Sequence, residues 1–420
     1  MYKKLYKYID SVCEKLENEQ LRESFRKCYL NTLETTVKFD ENGEVFIITG
    51  DIEAMWLRDS SVQVSHYVRL AGEDEDCRKL VKSLLERQFK YIRLDPYANA
   101  FNECANSRGH VTDETEQNPA VWERKYEIDS LIYPLWLLNK YYNYSKDFSV
   151  FDSEFFETYK VILDTLICEQ DYAKNSSYYF RRKGSDDTLA NNGYGSDYKF
   201  TGMVRSAFRP SDDRCEYSFL VPSNMFIVAV MNELCKNLDE AKIFNDYAET
   251  TKKLCEEIKN GINNYGTVET EEFGRIYAFE VDGLGNALLM DDANVPSLLS
   301  MPYMGYCGKD DEIYLNTRRF ILSKSNPFYF EGKCAKGVGS PHTKSGNIWH
   351  IALVIEALTT DNRDDISRIF DTLVSTTAGT GFMHESFNCD DDCDFTRSWF
   401  AWANTLFAIF IIDCIVDSDN

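Results

Sequence analysis

Three segments of the sequence place carboxylates beside aromatic side chains, at predicted helix starts or in long loops. They are TGDIEAMWLRDSSVQVSHY at residues 49–67, FRPSDDRCEYSFLVPSN at 208–224 and GTGFMHESFNCDDDCDFTRSWFAW at 379–402. Aromatic rings pack on the apolar faces of sugars, and polar side chains bond to the hydroxyls. Glycoside hydrolysis also needs two carboxyl groups, one on each side of the bond that is cut. Together the three segments therefore predict a carbohydrate-processing site.

The first segment also has a structural interpretation as the start of a helix. Asp59 and Ser60 are residue types that cap helices, and a carboxylate there meets the positive end of the helix dipole. Arg58 could then pair with Asp51 or Asp59. Taken alone, this segment favours neither a capped helix nor the floor of a binding site.

The other two segments supply the candidate acid and base. Asp212 and Asp213 could form an acidic turn, but adjacent carboxylates repel, and this can raise the pKa of one of them. A general acid that works near neutral pH needs such a shift. Glu385 lies between a histidine and a serine in a glycine-containing loop, before an apolar helix. That setting favours catalysis over a solvated loop glutamate.

Charge and cysteine content exclude several other classes of protein. With 69 acidic and 46 basic residues the net charge is −23, which disfavours nucleic acid and anionic membranes as partners. The 13 cysteines are odd in number and scattered, which is typical of a reducing compartment. The amino terminus lacks the apolar stretch of a signal peptide. We therefore expect a cytoplasmic protein with no obligate protein partner.

Motifs for other chemistries are missing from the sequence. It contains no GxxxxGK phosphate loop, no HExxH zinc motif and no GxSxG serine elbow. The CDDDC segment at 389–393 mixes soft and hard ligands without a second pair at zinc spacing, so we interpret it as a solvated acidic turn. The sequence therefore predicts neither a metal ion nor another cofactor.

Apolar periodicity predicts helical hairpins along the whole chain. Because the carboxyl-terminal helix is apolar nearly all round, the hairpins are expected to close into a toroid with buried inner helices. The predicted helices are one or two within 2–34, then 60–70, 77–92, 127–142, 151–169, 222–238, 240–265, 289–299, 312–323, 345–358, 363–376 and 397–416.

Long polar and aromatic loops separate these hairpins, and loops of this length in a compact domain are usually functional. They cover residues 95–125, 178–215, 265–290, 326–344 and 378–396. Short strands are predicted at 38–49 and 275–279. Because no linker rich in Ser, Gly or Pro interrupts the pattern, we expect a single all-α domain over residues 1–420.

The motifs TGDIEAMWLRDSSVQ, FRPSDD with VPSN, and HESF with SWFAWAN resemble glycoside hydrolase family 125. The resemblance spans at least residues 51–404. It implies an (α/α)6 barrel and an exo-acting α-1,6-mannosidase that inverts the anomeric configuration without a metal ion. In such a mechanism the two carboxyl groups lie about 6.5–9.5 Å apart to admit a water molecule.

The resemblance also implies roles for individual residues. Asp212 would be the general acid, with Asp213 as the alternative, and Glu385 would be the general base. The substrate would be an α-mannoside oligosaccharide, and its terminal mannose would contact a set of polar and aromatic side chains. These candidates are Asp51, Trp56, Arg58, Asp59, Asn118, Ser223, Asn224, His342 and Trp349.

Three other functions remain open from the sequence. The same barrel could carry a glucosidase or a phosphorylase, because a fold does not determine a substrate. A metal-dependent α-mannosidase would need a cluster of His and Asp ligands or a calcium site. A sugar-binding protein without catalysis would bind mannosides but not cut them, and the two candidate carboxylates argue against it.

Overall fold

The chain is mostly helical in the computed structural model, which describes residues 2–40 and 43–416. The last described helix continues as a π-helical turn over Ile411–Val416. The principal helices are Lys3–Lys15, Glu19–Thr35, Leu57–Gln63, Glu75–Leu94, Ile128–Ser145, Ser153–Gln170, Val221–Glu240, Ala248–Tyr265, Glu312–Ile321, His350–Leu358, Arg363–Ser375 and Ala401–Phe410, and shorter helical segments lie at Tyr67–Leu70, Phe148–Val150, Tyr172–Asn175 and Ala190–Gly193.

Helices that are buried on all sides alternate along the chain with helices that bury one face. Ile128–Ser145 and Ala401–Phe410 belong to the first kind, and every residue of the latter is buried. Glu75–Leu94 belongs to the second kind, with buried residues three or four positions apart. The buried helices pack on one another, and Ala401–Phe410 also contacts Glu19–Thr35 near the start of the chain. Fully buried helices and helices buried on one face thus alternate along the chain.

Side-chain caps explain where several of the helices that bury one face begin. Asp74 accepts hydrogen bonds from the backbone N–H groups of Asp76 and Cys77 at the start of Glu75–Leu94. Asp152 and Asp311 cap their helices in the same way. Each cap satisfies donors that the helix leaves free, and each typically stabilises the fold by about 1 kcal/mol.

Short antiparallel strands form small sheets beside the helix ends, as the sequence predicted for 38–49 and 275–279. Two of the three-stranded sheets carry residues discussed below. The strand sets, in sheet order, are Val37–Phe39 with Val45–Ile47; Met55–Trp56, Ala100–Phe101 and Val121–Glu123; Ala287–Leu288, Glu280–Val281 and Phe219–Leu220; Thr267–Thr270 with Gly274–Tyr277; Tyr329–Glu331 with Lys336–Val338; and Asn347–Trp349, Ser386–Asn388 and Asp391–Thr396.

The helix predicted at 289–299 is wrong, although residues 290–301 are all buried. Asp291 accepts hydrogen bonds from the backbone N–H groups of Leu298 and Leu299, at 2.9 and 3.0 Å, and Asp292 accepts one from Asn294 at 3.0 Å. The two aspartates thus accept from backbone N–H groups that a helix would use for its own hydrogen bonds. Pro296 has no backbone N–H to contribute. The segment follows an irregular path at a place where the chain otherwise supplies a buried helix.

Asp59 and Ser60 do not begin the helix that follows the first segment, contrary to the helix-start interpretation. The helix begins at Leu57, and Trp56 precedes it without a side-chain cap. Asp59 lies in the first turn, and the Ser60 hydroxyl donates to the Trp56 carbonyl at 2.7 Å.

No helix within residues 2–40 and 43–416 is both long and apolar enough to cross a lipid bilayer.

Candidate active site

One cavity brings together residues from all three acidic and aromatic segments. It is narrow and opens to solvent. Both candidate catalytic carboxylates, Asp212 and Glu385, contribute to its wall. The full lining comprises Thr49, Ile52, Trp56, Arg58, Asp59, Pro210, Ser211, Asp212, Asn294, His342, Trp349, Glu385, Arg397, Phe400 and Trp402.

A short strand and a tight backbone contact position the first segment. Met55–Trp56 pairs with Ala100–Phe101 and runs directly into the helix that carries Arg58 and Asp59. Upstream, Gly50 has a φ of +136° and bridges to Phe400. A Cβ at position 50 would lie 2.6 Å from the Trp399 carbonyl oxygen, so only glycine allows this approach. The contact joins the first segment to the last.

Arg58 lies at the centre of a buried cluster of four carboxylates. Its Nη1 donates to Glu127 Oε2 at 2.7 Å and to Asp129 Oδ2 at 3.1 Å, and its Nη2 donates to Asp212 Oδ1 at 3.2 Å. Its Nε lies 3.5 Å from Asp59 Oδ2. Only 4% of the Arg58 side chain is exposed. Burial would lower the pKa of Arg58, but the four carboxylates raise it well above its usual range.

A strained backbone conformation holds Asp212 at the cavity. Its φ is +66°, in the left-handed region that residues other than glycine rarely adopt. The Asp212 N–H donates to the Arg209 carbonyl at 2.9 Å, and its own carbonyl accepts from Lys125 Nζ at 2.7 Å. Such strain is common where a side chain must be aimed at a reaction centre.

The pKa of Asp212 is lowered, which differs from the raised value expected for one member of the Asp212–Asp213 pair. Burial acts to raise it, but Arg58, a hydrogen bond from Glu127, Lys125 and His342 together hold it well below its usual range. Burial instead raises the pKa of Glu127 well above its usual range, against the opposing effect of Arg58. The raised pKa that a general acid needs is thus found at Glu127, beside Asp212, and not at Asp212 itself.

Asp213 points to a different partner. Its Oδ1 lies 3.1 Å from His342 Nδ1, and its Oδ2 accepts from the Ser211 hydroxyl at 3.0 Å. Burial would lower the pKa of His342, but the hydrogen bond with Asp213 and the nearby carboxylates raise it to about 9. His342 is therefore positively charged at neutral pH, at the edge of the cavity.

Glu385 is placed by a sheet at the opposite end of the sequence. It immediately precedes the strand Ser386–Asn388, in which Ser386 pairs with Trp349. This register brings Trp349 and Glu385 to the same wall of the cavity. Arg397 Nη1 lies 3.5 Å from Glu385 Oε1, so the carboxylate has a cationic neighbour.

Four of the predicted binding residues do not line the cavity. Asp51 pairs with Arg397, its Oδ1 accepting from Nε at 3.0 Å. Asn118 shapes a turn by accepting from the Ala120 N–H. Ser223 is fully buried within a helix, and Asn224 bonds to the backbone of Val204 and Leu220. Ser223 and Asn224 are both completely buried.

Several residues of the site were not predicted from the sequence. Glu127 and Asp129 were assigned only to a helix, although carboxylates at the start of an otherwise apolar helix were a usable signal. Asn294 lies in the segment mispredicted as helical. The others follow the HESF motif within TRSWFAW and line the cavity: Arg397, Phe400 and Trp402.

The acidic CDDDC segment lies outside this cavity. Within the described ranges, Asp391, Asp392 and Cys393 are a group whose ligand atoms come within 4.8 Å of one another. Asp391 and Cys393 are exposed. Only residues 389–390 form a turn, whereas Asp391, Asp392 and Cys393 begin the strand Asp391–Thr396, so the interpretation as an acidic turn is correct only in part.

Asp51 is expected to act on the site only through Arg397. Asp51→Asn should lower kcat/KM about two- to fivefold, because the exposed ion pair that holds Arg397 beside Glu385 is weakened. Steady-state kinetics on an α-mannoside would measure this. Asp10→Asn, which removes a similar exposed pair with Arg26 on another surface, should leave the rate unchanged. A loss of about 100-fold or more in Asp51→Asn would instead mean that Asp51 contacts substrate.

Two carboxylates in a cavity lined by tryptophans and polar side chains define a glycoside hydrolase site. The family model described as metal-independent alpha-mannosidase (GH125) matches residues 18–412, and the chain belongs to this family. The chain is also 38% identical to the meiotically up-regulated gene 157 protein of Schizosaccharomyces pombe, covering 97% of this chain and 84% of the relative.

A solved structure also supports membership of this family. A Streptococcus pneumoniae protein, from a family of metal-independent α-mannosidases and in a non-productive substrate complex with α-1,6-mannobiose, superimposes with a TM-score of 0.94. It is 45% identical, and the match covers 97% of both chains. An uncharacterised conserved protein from Thermus thermophilus shares only the fold, with a TM-score of 0.52 at 10% identity over 93% of this chain and 99% of the other.

Proposed function

We propose that the protein is an exo-acting α-1,6-mannosidase that removes terminal mannose with inversion of the anomeric configuration and without a metal ion. The observation that carries this proposal is the cavity that holds Asp212 and Glu385 with Arg58 and two tryptophans predicted to bind sugar, Trp56 and Trp349. Similarity over nearly the whole chain to a protein bound to α-1,6-mannobiose supports the linkage.

In the proposed mechanism Asp212 protonates the glycosidic oxygen as the bond to the anomeric carbon breaks. Glu385 removes a proton from a water molecule as that water attacks the anomeric carbon from the opposite face. The product is β-mannose, because one displacement on the opposite face inverts the centre. The step leaves Asp212 without the proton that it gave to the glycosidic oxygen and Glu385 with the proton that it took from water, and exchange with solvent resets the site.

Asp212 is the better candidate for the acid than Asp213. Asp212 lines the cavity, and 26% of its side chain is exposed there. Asp213 instead bonds to His342 and Ser211. The left-handed backbone at Asp212 separates the directions of the two adjacent carboxylates. We assign substrate contacts to Trp56, Arg58, Asp59, His342 and Trp349.

We also propose that the helices form an (α/α)6 barrel and that residues 1–420 make one catalytic domain. The alternation of buried helices with one-face-buried helices, and the contact between Ala401–Phe410 and Glu19–Thr35, support closure into a ring. The irregular segment 290–301 would take the place of one inner helix. A cytoplasmic location is supported by the odd number of cysteines, 13, and by their scattered positions along the sequence.

The test is hydrolysis of α-1,2-, α-1,3- and α-1,6-mannobiose followed by proton NMR. We expect cleavage of the α-1,6 linkage alone, with β-mannose as the first product and the α anomer growing only by mutarotation. The same rate is expected after treatment with a chelator. Initial release of α-mannose would exclude inversion, and cleavage that depends on added phosphate would indicate a phosphorylase.

A further inference from the structure

The cluster around Arg58 holds more negative groups than one guanidinium can neutralise. Asp59, Glu127, Asp129 and Asp212 all approach it, and the side chains of Glu127 and Asp129 are completely buried. The nearby cation Lys125 is engaged by Asp187 at 3.1 Å. Three buried carboxylates and one partly exposed carboxylate beside one positive charge favour retention of a proton, since like charges in a low-dielectric site disfavour ionisation.

Glu127 and Asp212 are the two members of this cluster that contact each other. A hydrogen bond joins their carboxyl groups. They also share donors: Asn99 Nδ2 reaches Glu127 Oε1 at 3.3 Å and Asp212 Oδ1 at 3.2 Å, while Arg58 donates to both. Ser130 Oγ adds a bond to Glu127 Oε2 at 2.9 Å. A hydrogen bond between two carboxyl groups requires that one of them carry a proton.

We propose that Glu127 is a positioning residue that stores the catalytic proton and delivers it to Asp212 for each turnover. This inference rests on the proposed function, because it takes Asp212 as the general acid. Glu127 itself does not line the cavity and so acts through Asp212. Asp212, partly exposed, reaches the substrate, and Glu127, completely buried, keeps the proton from solvent.

The proton balance is simple. In the free enzyme the proton is on Glu127, hydrogen-bonded to ionised Asp212. When substrate excludes water from Asp212, the proton moves to Asp212 and then to the glycosidic oxygen, which keeps the electron pair of the broken bond. Glu127 is left as a carboxylate that accepts from Arg58, Ser130 and Asn99, three donors suited to an anion. Solvent then returns one proton to the pair, and Glu385 releases the one taken from water.

The charges around the pair support this assignment of the proton. Cations facing Asp212 hold its pKa low, while burial and neighbouring carboxylates raise the pKa of Glu127. Because the two groups are in contact, they titrate as a pair that keeps one proton at neutral pH. The charged groups facing the pair are Arg58, Asp59, Asp129, Lys125, Glu123 and His342.

The experiment is Glu127→Gln assayed with two substrates. Glutamine keeps the size of residue 127 and can still donate a hydrogen bond to Asp212, but it holds no transferable proton. Hydrolysis of α-1,6-mannobiose, whose leaving group needs protonation, should fall about 10²- to 10⁴-fold. Hydrolysis of 2,4-dinitrophenyl α-mannoside, whose leaving group departs as an anion, should stay within about fivefold. The alkaline limb of kcat/KM for mannobiose should move to lower pH, because Asp212 alone loses its proton more easily.

Two further variants keep the test decisive. Glu169→Gln is the matched control, a completely buried glutamate paired with Arg205, and it should affect both substrates equally or not at all. If Glu127→Gln does not fold, Ser130→Ala, which removes one bond to Glu127, should slow mannobiose about fivefold and spare the dinitrophenyl substrate. Equal effects on the two substrates, or an unmoved alkaline limb, would overturn the inference. Failure of wild type to cut either substrate would instead refute the proposed function.

Discussion

Replacing Glu385 by glutamine is expected to stop hydrolysis of every α-mannoside, whatever its leaving group, by about 10⁴-fold or more. The carboxylate accepts the proton of the attacking water, and an amide cannot. Asp212→Asn should differ, with a large loss for mannobiose and a smaller one for dinitrophenyl mannoside, because only the first substrate needs an acid. Initial rates of product formation, measured with both substrates for both variants, distinguish the role of the base from that of the acid.

Azide provides an independent readout for the Glu385 variant. Azide attacks carbon without losing a proton, so it should restore turnover of dinitrophenyl mannoside in Glu385→Gln and form β-mannosyl azide. Glu356→Gln is a suitable control, since Glu356 is equally buried but pairs with Arg368 on another part of the molecule. It should retain wild-type rates. Activity of Glu385→Gln within about tenfold of wild type would remove Glu385 from the mechanism.

Local pattern was sufficient to predict most of the helices. Apolar residues at helical spacing located both kinds of helix, and the hairpin strand at Gly274–Tyr277 also agrees with its prediction. The exception at 289–299 has a local cause. Asp291, Asp292 and Pro296 lie inside an apolar run, and side-chain bonds to backbone N–H groups outweighed the periodicity. Apolar content alone indicates burial but does not distinguish a buried helix from a buried loop.

Only those residues of the site that belong to a recognisable motif could be predicted from the sequence. Trp56, Arg58, Asp212 and Glu385 come from the recognised motifs and line one cavity. The partners of these residues depend on tertiary contacts, which no local pattern encodes. Glu127 lies 69 positions from Arg58, and Arg397 lies 346 positions from Asp51. The lowered pKa of Asp212 arises from those distant partners, and its adjacency to Asp213 gave no sign of it.

Replacing Arg58 by alanine is expected to destabilise the folded protein by about 3–5 kcal/mol at pH 7. The substitution leaves Asp129 buried without its cation, and an uncompensated buried charge costs about this much. Chemical denaturation followed by circular dichroism would measure the loss. Arg205→Ala is the matched control, because Arg205 is buried beside one carboxylate, Glu169, at 3.4 Å, and should cost less.

The pH dependence identifies the cause of that instability. Without Arg58, the pKa values of the buried carboxylates rise further, so the folded variant binds more protons than the unfolded chain near neutral pH. Its free energy of unfolding should therefore rise as the pH falls from about 7 to about 5. The gap between the free energies of unfolding of the variant and of the wild type should narrow over the same range. A gap that is constant over this range would mean lost packing, for instance against Trp402, rather than unpaired charge. Where the variant remains folded, mannoside hydrolysis should also fall, because Arg58 Nη2 donates to Asp212 and Arg58 is assigned a substrate contact.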